Sequence, residues 1–430
     1  MINIGLLGCG TVGSGVVKLL QKNNEIVAKR TGTEVVIKKV LEKDIARCRE
    51  AGVPEETITT NYEDILNDDS IDIVVELIGG LDPAYDFIIS AMKKGKQVVT
   101  ANKDLIAVRG KELFDTAEEN NVDFYFEASV AGGIPIVYPL KQSLAGNQIE
   151  QVIGILNGTT NYILTQMTKE GREFSEVLAE AQKLGYAESD PTADVCGYDA
   201  ARKIAILASI AFNSRVTLDD VYVEGITNIT PIDIESAREL GYVVKLLAIA
   251  KENNRGIQVR VHPAFIPSSH PLAAVNDVFN AVFVQGDAVG EIMHYGRGAG
   301  QMPTASAVTG DIIEIGRNMS HGVSNRIGCT CYENKPILNI NELDANFYIR
   351  MTVTDRPGVL AGIAGVFGNN NVSIASVIQR ASQKDIAQLI LISHCVKEQD
   401  LRDSLAVLEG MSIVKKINNV IRLEGTERIN

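Results

Sequence analysis

The sequence predicts an α/β protein in three parts: a doubly wound parallel sheet over residues 1–130, an α+β segment over 131–340 and a ferredoxin-like segment over 346–430. Three observations predict it. The chain opens with a strand, a glycine turn and an amphipathic helix, "INIGLLGCGTVGSGVVKLL". Apolar strand-like runs then alternate with helical stretches, which implies a parallel sheet with right-handed crossovers. From residue 347 the order becomes strand, helix, strand, strand, helix, strand.

In the opening run, Gly8, Gly10 and Gly13 have the GxGxxG spacing of a dinucleotide-binding loop. Gly8 permits a tight turn, Gly10 a close pyrophosphate, and Gly13 tight helix–strand packing. The helix N-terminus then faces the phosphates. "EVVIKKVL", residues 34–41, is the second strand. Its end offers Glu42 or Asp44 to a ribose 2′-hydroxyl and Lys43 to a 2′-phosphate, so NAD(H) and NADP(H) both stay open. "IDIVVELIGG" and "GKQVVTANKDLIA" supply further strands, and Thr100 to Lys103 fall at a carboxyl strand end, where such sheets bind ligands.

Composition narrows the class of function. With 430 residues, 45% apolar and 22% charged, the chain is ordinary for a globular enzyme of two or three domains. A net charge of −13 disfavours nucleic acid and anionic membranes as partners. No apolar run is long enough for a membrane span. The start of the chain lacks a signal-peptide pattern, which predicts a cytoplasmic location. Six scattered cysteines imply no disulfide framework, and Cys329-Thr-Cys331 alone makes a poor zinc site.

The middle segment holds the densest chemistry. "ILNGTTNYIL" reads as a polar loop capped by Thr159 and Thr160 at the start of a helix. In "SDPTADVCGYDAARK", Asp190, Asp194 and Asp199 precede Lys203, where an apolar helix begins. Asp199 and Lys203 share one helix face. As a surface pair they contribute a few tenths of a kcal/mol. The helix is otherwise apolar, however, and Glu188, Asp190 and Asp194 crowd its approach, which suits a substrate ammonium group.

"AQKLGYAESDPTADVCGYDAARK", Ala181 to Lys203, resembles the signature of the homoserine dehydrogenase family. The resemblance extends to "VVTANKDLIA", "FEASVAGGIPI", "ILNGTTNYIL" and "GRGAGQMPTASAV", so it covers essentially the whole chain. It implies NAD(P)H-dependent interconversion of L-aspartate 4-semialdehyde and L-homoserine, on the route to threonine and methionine. By resemblance, Glu188, Asp199 and Asp194 bind the substrate, Lys203 donates the proton and Lys103 lies by the same oxygen. An alkoxide formed by hydride addition needs both a cation and a proton. The cofactor falls to Gly8, Gly10, Thr11, Val12, Gly13, Thr100, Lys103, Gly185 and Gly300, with a helix near 303–318 returning to the nucleotide domain. Glu127, Val130, Gly132 and Ile134 are implied ligands of a monovalent cation, usually sodium. Residues 131–340 become a catalytic and dimerisation domain, and the assembly a homodimer or homotetramer.

The "DRPGVL" turn and "NNNVSI" resemble an ACT domain, joined through "CYENKPILNINELDAN". Asp355, Gly358 and Asn371 sit at turns that would take an effector, L-threonine, if the domain is regulatory; the other reading is a dimerisation module with no ligand. Two other readings compete. A semialdehyde dehydrogenase would need Cys196 as nucleophile, but neighbouring carboxylates oppose thiolate formation. A catalytically inactive amino-acid sensor on an oxidoreductase fold has no need of Lys103, Glu188, Asp199 and Lys203 together.

Overall fold

The computed structural model describes residues 1–381 and 385–425. In it β1 (Ile2–Leu7), β2 (Val35–Leu41), β3 (Ile58–Thr59), β4 (Ile73–Glu76), β5 (Gln97–Thr100) and β6 (Phe124–Tyr125) form one all-parallel sheet, ordered β3-β2-β1-β4-β5-β6. This is the doubly wound Rossmann order, and its switch point lies between β1 and β4. β1 and β4 are apolar and almost wholly buried, as a sheet covered on both faces requires. Ile4, Leu6, Val16 and Val17 share a core with Val308, Ile312 and Ile315. The last three belong to the helix Gln301–Ser320, which thereby joins the nucleotide domain. Pro303 stands in its first turn, where a missing N–H costs nothing.

Two compact units divide the chain: Met1–Leu156 with Ala201–Val221 and Phe279–Lys335, and Asn157–Ala200 with Tyr222–Val278 and the residues from Pro336 onward. Within the first, β7 (Ile149–Ile155), β11 (Phe279–Gly286) and β12 (Gly290–Arg297) pair antiparallel.

Within the second, β10 (Gly256–Pro267) pairs with β9 (Tyr242–Asn253) and with the short β8 (Tyr222–Val223). The C-terminal part has β13 (Asp344–Thr354), the helix Val359–Asn369, β14 (Ile374–Ala381), β15 (Ile386–Ser393), the helix Glu398–Glu409 and β17 (Val414–Leu423). That is the expected βαββαβ order, with Phe347, Met351, Ile363, Phe367 and Leu389 in its core. β13 starts inside the stretch read as linker, because the two-residue β16 (Val396–Lys397) pairs with Asp344 and Ala345. β17 also pairs in parallel with β10, through Ala264 and Phe265. Buried charges reinforce this seam. Arg350 Nε donates to Asp233 Oδ1 at 2.7 Å, and Arg260 donates to Glu424 at 2.5 Å. Arg422 pairs with Glu398 and, at 3.0 Å, with Glu224.

Candidate active site

At the end of β1, Gly8 has φ +94°, and a Cβ there would meet the Leu77 carbonyl at 3.0 Å. A Cβ at Gly13 would lie 2.1 Å from the Gly8 carbonyl oxygen. Both positions therefore need glycine, for the turn and for close packing. Gly10 is the N-cap of the helix Thr11–Lys22 and has no side chain to satisfy its first N–H groups. Thr11, Val12 and Gly13 present those N–H groups, which suits a phosphate. Beside them is a cleft of about 380 Å³, lined by Gly8, Gly10, Glu42, Lys43, Arg47 and Tyr62 among others. The cradle fits a dinucleotide.

Glu42 turns its carboxylate to the backbone: it accepts from Cys9 N at 2.8 Å, Lys43 N at 2.8 Å and Asp44 N at 3.1 Å. Buried Glu76 plays a similar part at the end of β4. It accepts from Ile78 N at 2.8 Å, Gly79 N at 2.9 Å and Thr100 Oγ1 at 2.6 Å. Asn102 donates to the Gly80 carbonyl at 2.6 Å and caps the helix Lys103–Glu119 by accepting from Leu105 N. Thr100 and Lys103 are thus fixed at the sheet's carboxyl edge. Gly300, with φ +119°, is the N-cap of the helix Gln301–Ser320.

Lys203 lies on the helix Tyr198–Ala211, and its Nζ donates to the Leu156 carbonyl at 2.8 Å, just past β7. Arg202 Nε is 2.8 Å from Asp104 Oδ1. This ion pair ties the opening turns of the two lysine-bearing helices together.

The carboxylate cluster of the second unit is organised by a residue that the sequence reading passed over. Asn157 is the N-cap of the helix Gly158–Glu170, accepting from Thr160 N at 2.9 Å. The cap is not Thr159 or Thr160, because the Asn157 side chain reaches the N–H groups first, and Thr159 donates instead to the Tyr186 carbonyl. Asn157 Nδ2 donates to Asp194 Oδ1 at 2.7 Å and Asp199 Oδ2 at 2.9 Å. Those two acids are held on one amide; Asp199 is buried. Gly185, with φ +74°, and Glu188 lie on the exposed turn after the helix Phe174–Lys183.

Glu127 is buried and accepts from the backbone N–H groups of Ile136 (2.5 Å), Val137 (2.9 Å) and Tyr138 (2.6 Å). Its own N–H donates to Asp311 at 2.9 Å. Burial pushes both carboxyls above the ordinary range; the three N–H bonds counter this at Glu127, and the like charge of Glu127 pushes Asp311 up further. Val130 and Ile134 are buried on the same turn, and Gly132 has φ +55°. Among the described residues no group of three His, Cys, Asp or Glu side chains could hold a metal, so a cation here would rely on backbone oxygens. In the C-terminal part, Asp355 accepts from Gln379 Nε2 at 3.2 Å, Gly358 is the N-cap of the helix Val359–Asn369, and Asn371 has φ +60°.

Comparison with known proteins bears on the whole chain. Residues 8–127 match the homoserine dehydrogenase NAD-binding domain, residues 135–313 the homoserine dehydrogenase family and residues 347–410 the ACT domain. A homoserine dehydrogenase from Corynebacterium glutamicum is 48% identical over 98% of this chain and 96% of its own length. The crystal structure of a homoserine dehydrogenase from Thiobacillus denitrificans superposes with a TM-score of 0.94, at 41% identity, over 98% of both chains. A hyperthermophilic archaeal homoserine dehydrogenase in complex with NADPH is 27% identical, with a TM-score of 0.63, over 73% of this chain and 97% of its own. The chain therefore belongs to the homoserine dehydrogenase family of NAD(P)-dependent oxidoreductases.

Proposed function

We propose that the chain reduces L-aspartate 4-semialdehyde to L-homoserine, with Lys203 as proton donor to the aldehyde oxygen and Lys103 as the second cation beside it. The nicotinamide, when bound, supplies the hydride. Thr11, Val12 and the glycines from Gly8 to Gly13 bind its phosphates, with Thr100, Gly185 and Gly300 completing the cofactor contacts. The observation that carries this reading is the Arg202–Asp104 ion pair, which fixes the first turns of both lysine helices in one unit. A charge forming on the carbonyl oxygen is stabilised by cations already in position, without reorganisation. Asp194, Asp199 and Glu188 hold the substrate ammonium group, and Asn157 orients the first two.

NADPH is the better fit of the two cofactors. Glu42 spends its carboxylate on three backbone N–H groups, while Lys43 and Arg47 line the cleft for a 2′-phosphate. A monovalent cation fits the turn of Glu127, Val130, Gly132 and Ile134, because its charge offsets two carboxylates that burial penalises. It would be bound there as a structural ion. L-threonine is the proposed effector of the ACT domain, through Asp355, Gly358 and Asn371. The domain limits are taken as 1–130, 131–340 and 346–430, in a cytoplasmic homodimer or homotetramer.

The test is initial-rate kinetics of semialdehyde reduction with NADPH and NADH for wild type, Lys203→Ala and Lys103→Ala. Loss of several orders of magnitude in Lys203→Ala, with cofactor binding intact, supports its role. Near-normal turnover transfers that role to Lys103. No turnover by wild type with either cofactor returns the inactive-sensor reading.

A further inference from the structure

Cys329 and Cys331 are outside the chemistry described above, yet they line a small cavity of about 20 Å³ in the first unit. That is room for about one water-sized group. Its walls include Ala107 and Phe114 of the Lys103 helix, Ile206 and Ile210 of the Lys203 helix, and Lys141 and Arg215. The Cys329 sulfur accepts from an Arg215 guanidinium N–H at 3.5 Å and from the Cys331 backbone N–H at 3.4 Å. The Cys331 sulfur is 3.6 Å from the Ser209 carbonyl, to which it donates. Lys141 Nζ lies over the rings of Phe114 and Phe126, at 5.3 and 5.4 Å from their centroids. Cys329 is exposed at the cavity's edge and Cys331 is half-buried behind it.

Two thiols two residues apart, one of them reachable from solvent and held between a guanidinium and an ammonium, make a reactive pair. We propose that Cys329 is a peroxide-sensitive modification site and Cys331 its resolving thiol, closing a Cys329–Cys331 disulfide. The charges facing the pair are Arg215, Lys141 and, on the Lys103 helix, Lys111, which is itself paired with Asp115. The neighbouring Cys331, then Arg215 and Lys141, lower the Cys329 thiol against the effect of burial, whereas Cys329 and burial raise Cys331.

The steps balance with a hydroperoxide as oxidant. The Cys329 thiolate attacks one peroxide oxygen, the O–O bond breaks, and sulfur gives up two electrons. The leaving hydroxide or alkoxide takes a proton, and Cys329 becomes a sulfenic acid. The Cys331 sulfur then attacks the Cys329 sulfur. An S–S bond forms, the S–O bond breaks, and water leaves with the thiol proton. This bond closes against the helices that carry Lys103 and Lys203.

The experiment uses the full-length reduced protein, hydrogen peroxide as probe, and mass spectrometry of the alkylated peptide that holds both thiols. The wild-type peptide is expected to lose two hydrogens and both alkyl tags before the exposed Cys395 changes. Cys331→Ser, which keeps a donor to Ser209, is expected to accumulate a dimedone adduct at Cys329, and Cys329→Ser to leave Cys331 alkylatable. In the native protein, alkylation of Cys329 should rise less than about twofold from pH 7 to 8.5. The denatured chain, with an ordinary thiol, should rise roughly 15-fold. Oxidation of Cys395 first, no dimedone adduct in Cys331→Ser, or a native pH profile like the denatured one would each overturn the proposal.

Discussion

Arg202 Nε lies 2.8 Å from Asp104 Oδ1, and each of these residues is the chain neighbour of a lysine, Lys203 and Lys103. The pair is partly exposed, so its loss should cost less than about 1 kcal/mol of stability. Its effect on lysine position should be larger, because a displacement of about 1 Å costs up to 100-fold in rate. Asp104→Ala and Arg202→Ala are therefore expected to lower kcat by roughly ten- to 100-fold while Tm barely moves. Equal losses in both variants, with no further loss in the double variant, would identify the pair as one unit.

Asn157 serves both as helix cap and as bridge between Asp194 and Asp199. Asn157→Ala should cost about 1 kcal/mol from the lost cap and raise the KM for semialdehyde. Asn157→Asp keeps the cap but sets a third carboxylate against two others, so it should damage kcat/KM more than the alanine does. Steady-state kinetics with denaturation of the same samples check the split.

The glycine loop gives an internal contrast. A Cβ at Gly10 would meet nothing within 4 Å, whereas one at Gly13 would lie 2.1 Å from a carbonyl oxygen. Gly10→Ala is expected to keep Tm and raise the cofactor KM about tenfold. Gly13→Ala should lower Tm by several degrees, read by thermal scanning without cofactor.

If the cleft takes a 2′-phosphate, Lys43→Ala and Arg47→Ala should each raise the KM for NADPH severalfold and leave that for NADH near its wild-type value. A parallel change in both values would locate these side chains away from the 2′ position.

His262 sets an acid limit on the second unit. It is fully buried; its Nε2 accepts from Arg260 Nε at 3.2 Å, and its Nδ1 donates to the Pro263 carbonyl at 2.9 Å. Burial, then the charges of Arg422 and Arg260, hold its pKa well below the ordinary histidine value. The unfolded chain binds a proton at His262 below pH ~6.5 and the folded chain does not, so stability is present above that pH and falls beneath it by up to ~1.4 kcal/mol per pH unit. His262→Gln should flatten the decline in Tm between pH 7 and 5.5, whatever it does to Tm at neutral pH.

The sheet and the glycine loop were legible because their signals are local: an apolar strand, a turn that needs φ > 0, and a helix directly after. The βαββαβ segment was legible for the same reason. Lys103 and Lys203 each stood out locally, one at a carboxyl strand end and one by its spacing from Asp199, but their joint role at one oxygen came only from family resemblance, since they are a hundred residues apart. Asp104 and Arg202 were passed over because their meaning depends on two helices meeting. Glu76 looked like one polar residue ending an apolar strand, and its three hydrogen bonds exist only in the folded turn. Asn157 could have been found, because an Asn just before a helical run, as in "LNGTTN", is a cap signal: its side-chain oxygen accepts from the N–H three residues on.

β17 pairs with the end of β10, and Arg350 of β13 and Glu424, just past β17, are the partners of Asp233 and of Arg260 and Lys251. The C-terminal domain is thus grafted, not merely appended. A gene shortened before Asp344 would encode a protein with an open strand edge and orphaned internal charges, a combination that invites aggregation.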